Sequence, residues 1–557
     1  MSSDQTYYVT TPIYYVNDRP HIGHVYTTVV ADIVARYHRL RGEDTFFLTG
    51  TDEHALKVVD AAAERGLTPQ QWADQNAAEF EQTFRRLNLS FDDFIRTSQD
   101  RHTTLVQQYV QQLWDQGDIY LDQYEGWYDA GQEEYVTEAK AKEYDYVSPF
   151  NGKPLVKKSE TNYFFRLSRF EQPLLALLEQ DEPARTQGQA WPFDVEPAAR
   201  KNETIARIKE GLKDVPISRV IGENEAAWGV QMPGDPEHRI YVWIDALFNY
   251  LTAVESDPQN RGHYWPADVH LIAKDILWFH AVIWPAMLMA LDKPLPRLVY
   301  AHSFWISEGQ KMSKSLGNFI DLEKIDYYVE TYSLDALRYF LASNGPMGTT
   351  DSDFAEAKFI DVYNGDLANG LGNCFNRVAN MTNKYFGGEV QSPHTAAPFE
   401  IAKDAAYHPK TGASTDITWD LADFVHEDLE FATKRLDALD LSGGFASAKR
   451  IINSIDQYIE STQPFKLAKD WDNNKQQVGT ILYNCAEALR IASLLLWPVI
   501  PEKVEELWRR MQLPYATHLA QHGQGALDRW LAEDKLEPGT VIEKGPPLFP
   551  RKELAKS

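Results

Sequence analysis

Apolar and polar positions change their period along this chain, and the change divides it. Thr6-Tyr7-Tyr8-Val9-Thr10 is a run of strand formers, Gly23 to Leu40 repeats apolar residues at helical spacing, and Phe46-Phe47-Leu48 reads as a buried strand. That order predicts a βαβ unit. Val269-His270-Leu271-Ile272 and Leu298-Val299-Tyr300 repeat the strand pattern on either side of an apolar helix predicted over about Ile276 to Met289, so the parallel-sheet pattern returns. The stretch 118–225 between these halves is mixed and irregular, and reads as an insertion. From about Asp361 strand signals fade and long helical patterns take over, as in Ser447 to Glu460 and Gln476 to Leu495. The polar stretch Gln391 to Thr418, with its prolines and threonines, breaks that helical part and predicts a surface loop or extension. The expected fold class is α/β: a split Rossmann-type domain with a connective insertion, followed by an α-helical domain. The expected segments are 1–117 and 226–305 for the two halves, 118–225 for the insertion, 306–360 for a lysine-rich loop region and 361–557 for the helices.

Composition narrows the class. With 43% hydrophobic, 24% charged and 12% aromatic residues the chain is globular, and no uninterrupted apolar run reaches the roughly 20 residues that cross a bilayer. No membrane association is expected. The start, Met1-Ser2-Ser3-Asp4-Gln5, has neither a basic stretch nor an apolar signal segment, so a soluble, cytoplasmic protein is expected. The only cysteines, Cys374 and Cys485, cannot make a four-cysteine zinc site or a disulfide framework. No structural zinc or other metal is expected. A formal net charge of −26 argues against indiscriminate nucleic-acid binding, because like charge repels phosphate over the whole surface. Any nucleic acid must then be met by a local basic face.

The first strand ends at Thr11-Pro12-Ile13-Tyr14-Tyr15, and Arg19-Pro20-His21-Ile22-Gly23-His24 follows just as the helix begins. A helix N-terminus offers N–H groups and a partial positive charge, and Gly23 lets a phosphate or a base approach the backbone. His21 and His24, at i and i+3, share a helical face from which they can donate to triphosphate oxygens. With 15 His and 31 Gly in 557 residues, chance supplies only about 0.02 His-x-Gly-His tetrapeptides. Ordinary helix capping is the alternative.

With that motif the chain resembles the class I aminoacyl-tRNA synthetases, whose second signature is a lysine-rich loop in the far half of the split fold. It is present as Lys311-Met312-Ser313-Lys314-Ser315. The resemblance implies that His21, Gly23, His24, Lys311, Ser313 and Lys314 bind ATP with Mg²⁺. It further implies that His21, His24, Lys311 and Lys314 act in catalysis, the lysines neutralising charge that grows as pyrophosphate leaves. The insertion is smaller than the editing insertion of the leucine, isoleucine and valine enzymes, and the cysteine enzyme needs a thiolate–zinc site.

Further landmarks are similar to methionyl-tRNA synthetases along almost the whole chain: Leu48-Thr49-Gly50-Thr51-Asp52-Glu53-His54, Asn162-Tyr163-Phe164-Phe165, Tyr241-Val242-Trp243-Ile244-Asp245-Ala246-Leu247 and Lys274-Asp275-Ile276 to Phe279-His280. The resemblance implies a methionine pocket lined by Ile13, Tyr15, Trp243, Ala246, Leu247, Tyr250, Ile276 and His280, with Asp52 holding the α-ammonium. A thioether favours aromatic contact and one or two donors, for which Tyr15 hydroxyl and His280 are the candidates. In the helical part, Asn373 and Arg377 match residues that read the anticodon CAU, with Phe465 where the family has a tryptophan after proline. The implied activity is methionine activation by ATP and transfer to the 3′ end of tRNA, initiator tRNA included.

Three departures qualify the resemblance. Ala55 and Ala273 replace glycines common in relatives, which is tolerable where φ is negative. Ser148-Pro149-Phe150-Asn151-Gly152-Lys153-Pro154 lacks the thiols of zinc-binding relatives, implying the metal-free variant. The chain stops at Ser557, leaving no room for the appended domain through which some relatives dimerise, so a monomer is expected. Two other readings remain at this point: an adenylate-forming nucleotidyltransferase that never meets tRNA, and a catalytically silent relative that binds RNA.

Overall fold

The computed structural model describes residues 5–129, 134–136, 138–149, 152–222, 227–256, 261–312, 317–393 and 421–553. In chain order the elements that matter for function begin with β1 (Thr6–Tyr15), α1 (Ile22–Arg41), β2 (Asp44–Asp52), β3 (Asp93–Arg96) and α2 (Asp100–Asp115). Then come β4 (Ile119–Asp129), β5 (Val156–Phe165), β6 (Asp194–Glu196), α3 (Val242–Leu247), α4 (Asn249–Glu255), β7 (Val269–Ala273) and β8 (Leu298–His302). The rest are β9 (Trp305–Ser307), β10 (Gln310–Lys311), α5 (Leu334–Asn344), β11 (Ser352–Phe354), α6 (Asn373–Phe386), α7 (Leu441–Thr462), α8 (Pro464–Leu467) and α9 (Trp471–Leu496). The chain forms two compact units, one of Tyr8–Pro20 and Phe46–His302, the other of Met1–Tyr7, His21–Thr45 and Ser303–Ser557.

The first unit is organised around a six-stranded sheet in the order β3-β2-β1-β7-β8-β6. The pairs β2–β3, β1–β7, β7–β8 and β8–β6 are parallel, as the resumed strand pattern predicted. Parallel strands are covered on both faces, which is why β2 is buried over nearly its whole length, its polar Thr45, Thr49, Thr51 and Asp52 as well as Phe46-Phe47-Leu48. Near its carboxyl end a Cβ on Gly50 would fall 1.9 Å from the Ile95 carbonyl oxygen, so only glycine lets β2 close on β3 there. β6 was not legible as a strand, since three residues carry no alternation, yet it forms the sheet edge beside β8. Residues of the expected insertion also form the long antiparallel pair β4–β5.

The helix predicted over 276–289 is broken in three. A 3₁₀ turn covers Lys274–Ile276, a π-turn Phe279–Ile283 and an α-helix Trp284–Ala290. Pro285 has no N–H to continue an α ladder, which favours such a register change just before it.

The second unit holds α1, the β9–β10 hairpin with β11 alongside, and the helical remainder. The helices predicted at 447–460 and 476–495 lie inside the longer α7 and α9. Gln391 to Thr418 falls almost wholly outside the described residues. Among those residues α9 alone is long and apolar enough to cross a membrane, but it is nearly all buried in protein. Toward its C-terminal end Arg490 grips Glu487 at 2.6 and 2.7 Å and donates to Tyr515 hydroxyl, an ion pair that hydrocarbon would penalise heavily.

Candidate active site

Both histidines of the first signature cap α1. The Gly23 N–H donates to His21 Nδ1 at 3.1 Å, and the His21 N–H donates to His24 Nδ1 at 3.3 Å, forming a reciprocal capping box. The rings stack with centroids 3.8 Å apart. Because each Nδ1 accepts, each imidazole carries its proton on Nε2, the atom from which it can donate to an anion. Burial, with His21 alongside, holds the His24 pKa well below the usual histidine range, so its ring is neutral at pH 7. Gly23 leaves room for the His21 ring, since a Cβ there would sit 3.0 Å from His21 Cε1.

The second signature meets the first through its far flank. The Ile22 N–H donates to the Ile320 carbonyl at 3.1 Å, and the Phe319 ring stands edge-on to His21 at 5.2 Å. Lys311, exposed at the end of β10, has its carbonyl held by Asn318 Nδ2 at 3.2 Å. Lys311 is thus tied to Asn318, and Ile320, further along, to the start of α1. Ser313 and Lys314 lie outside the described residues. One expectation changes here, because the first helical amides are not all open to a phosphate. Those of Ile22 and Gly23 are occupied by Ile320 and His21, which leaves the imidazoles as the donors.

The residues expected around methionine belong to the other unit. Asp52 closes β2 and is 2% exposed, at the carboxyl end of a parallel strand where ligands of open sheets bind. Both residues after it are tied down. Glu53, fully buried, accepts from Arg96 at 2.7 and 3.0 Å, and His54 Nδ1 meets Asp245 Oδ2 at 2.6 Å. Tyr15 packs edge-on to Trp243 at 5.7 Å, and Trp243 stacks on Phe279 at 4.4 Å. Ile13 and Ile276 are half-buried against the main core, while Ala246, Leu247 and Tyr250 are buried.

His280 differs from its expected part as a donor to sulfur. Burial lowers its pKa to about 4, so the ring is neutral; Nδ1–H donates to the Ile276 carbonyl at 3.0 Å, and Nε2 accepts from Tyr250 hydroxyl at 2.7 Å. Both nitrogens are used within the protein. His280 thus orients Tyr250, and Tyr15 remains the donor candidate.

Ala55 and Ala273 sit at φ −68° and −85°, so neither methyl strains the backbone. Among the described residues no group of three or more His, Cys, Asp and Glu side chains could hold a metal ion. Of the stretch matching the zinc knuckle, 150 and 151 fall outside the described residues.

In the helical region Asn373 is exposed at the start of α6, and Arg377, one turn on, donates to Asp456 at 2.6 Å and Glu460 at 2.5 Å on α7. Phe465, on α8, is 39% exposed. It is no core anchor, the other role open to a ring after Pro464.

Sequence reading missed Phe279, Phe319, Arg96 and the Asp245–histidine contacts. Phe279 and Asp245 stand inside quoted landmarks, but nothing local marks their partners.

A sequence model of the family described as tRNA synthetases class I (M) matches residues 7–144 and 143–379. The chain is 40% identical over 568 residues to the methionine–tRNA ligase of Halalkalibacterium halodurans, covering 99% of this chain and 79% of that one. It is 38% identical to that of Bacillus subtilis, covering 99% and 78%. Its fold superposes on the Mycobacterium tuberculosis methionyl-tRNA synthetase in complex with methionyl-adenylate with a TM-score of 0.84 at 34% identity, covering 98% of this chain and 100% of the other.

Proposed function

The chain belongs to the methionyl-tRNA synthetases of class I, and from that membership we propose which of its side chains carry the reaction. The enzyme activates methionine with ATP and transfers it to tRNA. In the first step a methionine carboxylate oxygen attacks the α-phosphorus, the bond to the bridging oxygen breaks, and pyrophosphate leaves. In the second the 3′-terminal hydroxyl of tRNA attacks the methionyl carbonyl and AMP leaves. Neither step needs a protein nucleophile, so positioning and electrostatics supply the catalysis.

Asp52 takes the α-ammonium, and the Tyr15, Trp243 and Tyr250 rings, with Ile13, Ala246, Leu247 and Ile276, surround the thioether. His280 holds Tyr250. His21 and His24 donate from Nε2 to the phosphates, with Gly23 giving His21 its room. Lys311 and Lys314 neutralise the pyrophosphate as charge moves onto it, and Ser313 lies in the same ATP-binding loop. Mg²⁺ enters with the phosphates, as part of the nucleotide substrate. The observation that supports this reading is the contact between the first signature and the segment just after the lysine loop, through Ile22–Ile320 and His21–Phe319.

ATP–pyrophosphate exchange across the amino acids, followed by tRNA charging, tests the assignment. Methionine alone is expected to support exchange, and tRNA with a CAU anticodon to be charged. Exchange without charging would favour the adenylate-forming reading, and neither activity the silent one.

The helical segment 361–557 is assigned to the anticodon, with Asn373, Arg377 and Phe465 as its readers. A base must compete with Asp456 and Glu460 for the Arg377 guanidinium. An exposed ring offers a base a stacking surface worth about 1–3 kcal/mol. Phe465→Ala is therefore expected to cut kcat/KM for tRNA about tenfold or more, leaving tRNA-independent exchange intact, and Phe465→Trp to keep or improve charging. Unchanged charging by a folded Phe465→Ala variant would remove the ring from the anticodon site.

A further inference from the structure

The Asp245 carboxylate is fully buried on α3, between Trp243 and the pair Ala246-Leu247. Its Oδ2 faces His54 Nδ1 at 2.6 Å and its Oδ1 faces His102 Nε2 on α2 at 2.9 Å, while His102 Nδ1 meets Thr252 Oγ1 on α4 at 2.8 Å. Burial alone would push this carboxyl up, but His54 and His102 outweigh it and bring the pKa down to about 2. It is an anion at any working pH and can only accept. One carboxylate thus joins the end of β2 to three helices, one of which carries Trp243.

A buried charge with two partners is weak as a stability device, since apolar residues of the same shape often pack as well. What it does supply is direction: each oxygen accepts one N–H along a fixed line. The benefit falls on Asp52. Glu53 is held by Arg96, by Ser98 and, through its N–H, by Thr97 Oγ1, and His54 is the next tether along the chain. The Trp228 indole closes the other side, edge-on to His54 at 5.2 Å and donating from Nε1 to the Glu53 carbonyl at 2.5 Å.

We propose that Asp245 is a positioning residue for the amino-acid subsite: through His54 it fixes the Asp52 carboxylate relative to the α3 turn that carries Trp243. This rests on the assignment of Asp52 to the methionine ammonium. The role is specific to the amino acid, because nothing in the network belongs to the residues assigned to ATP. His54 Nδ1 is the atom that matters, and an asparagine side-chain nitrogen can occupy the same place.

The test is steady-state pyrophosphate exchange, reading KM separately for methionine and ATP, with the melting temperature alongside. D245N and H54A are each expected to raise the methionine KM about tenfold or more, the equivalent of about 1.4 kcal/mol, with the ATP KM within about twofold. The D245N/H54A double variant is expected to be no worse than the poorer single, because both cut one tether. H54N, which keeps the donor, is expected to stay within about threefold of the parent. Equal changes in both KM values, an additive double variant, or an unchanged methionine KM in folded D245N would overturn the proposal. Should D245N not fold, H54A against H54N decides it the same way. D52A separates the two levels: if it leaves the methionine KM unchanged, the subsite assignment itself has failed, whereas a raised KM in D52A with a normal one in D245N sinks only the tether.

Discussion

Replacing His24 with asparagine is expected to lower kcat for pyrophosphate exchange by about 10²–10³ while leaving the protein folded and the methionine KM within about threefold. The substitution separates two roles that the structure gives to one ring. His24 Nδ1 accepts the His21 N–H at 3.3 Å, which caps the helix, and an asparagine Oδ1 can do the same. Nothing in asparagine reaches where Nε2–H stands. If capping were the whole role, His24→Asn would keep its activity, and the stability cost would be at most about 1 kcal/mol, a few degrees in Tm. If Nε2–H donates to phosphate oxygens as charge develops, the loss is the size seen when one preorganised donor is removed from such a site, about 2.7–4 kcal/mol. His24→Gln reverses the trade, placing an amide N–H near the Nε2 position and giving up the cap. It is expected to be less stable than His24→Asn and more active. A kcat for His24→Asn within about threefold of the parent would return His24 to plain helix capping.

Asp52→Ala is expected to reduce kcat/KM for methionine by about 10²–10³, with the ATP KM unaffected. The reason is the environment of the carboxylate, 2% exposed at the end of β2. An ammonium brought there with its counter-charge removed is left desolvated and unpaired, and breaking a buried pair in that way costs about 3–5 kcal/mol. Asp52→Asn keeps the shape and an acceptor but not the charge, so it should fall between Ala and the parent. Methionine kinetics unchanged in Asp52→Ala would move the amino-acid site elsewhere. The two substitutions are expected to fail in different parameters, His24→Asn in kcat and Asp52→Ala in methionine affinity, because one side chain meets charge that appears only as the phosphate bond breaks and the other meets charge present throughout.

The amino-acid sequence by itself determined what depends on neighbours along the chain. His-x-Gly-His opening a helix, the strand runs at 6–10, 46–48, 269–272 and 298–300 and the helical character after 361 are all local patterns of period, capping and spacing, and each has its counterpart in the structure. So was the tolerance of Ala55 and Ala273, which needed only a negative φ. Tertiary structure alone decided the partners. Ile22 meets Ile320 and His54 meets Asp245 across 191 positions, because such bonds reward geometry reached only after the strands have found their order. The same holds for β6, too short to signal itself and made a strand by the free edge of β8. It holds for His280, whose type suggested a donor to the ligand until the Ile276 carbonyl and the Tyr250 hydroxyl took both its nitrogens. A side chain's chemistry is written in its residue type, but which of its atoms remains available to a substrate depends on what the fold places within about 3 Å of it.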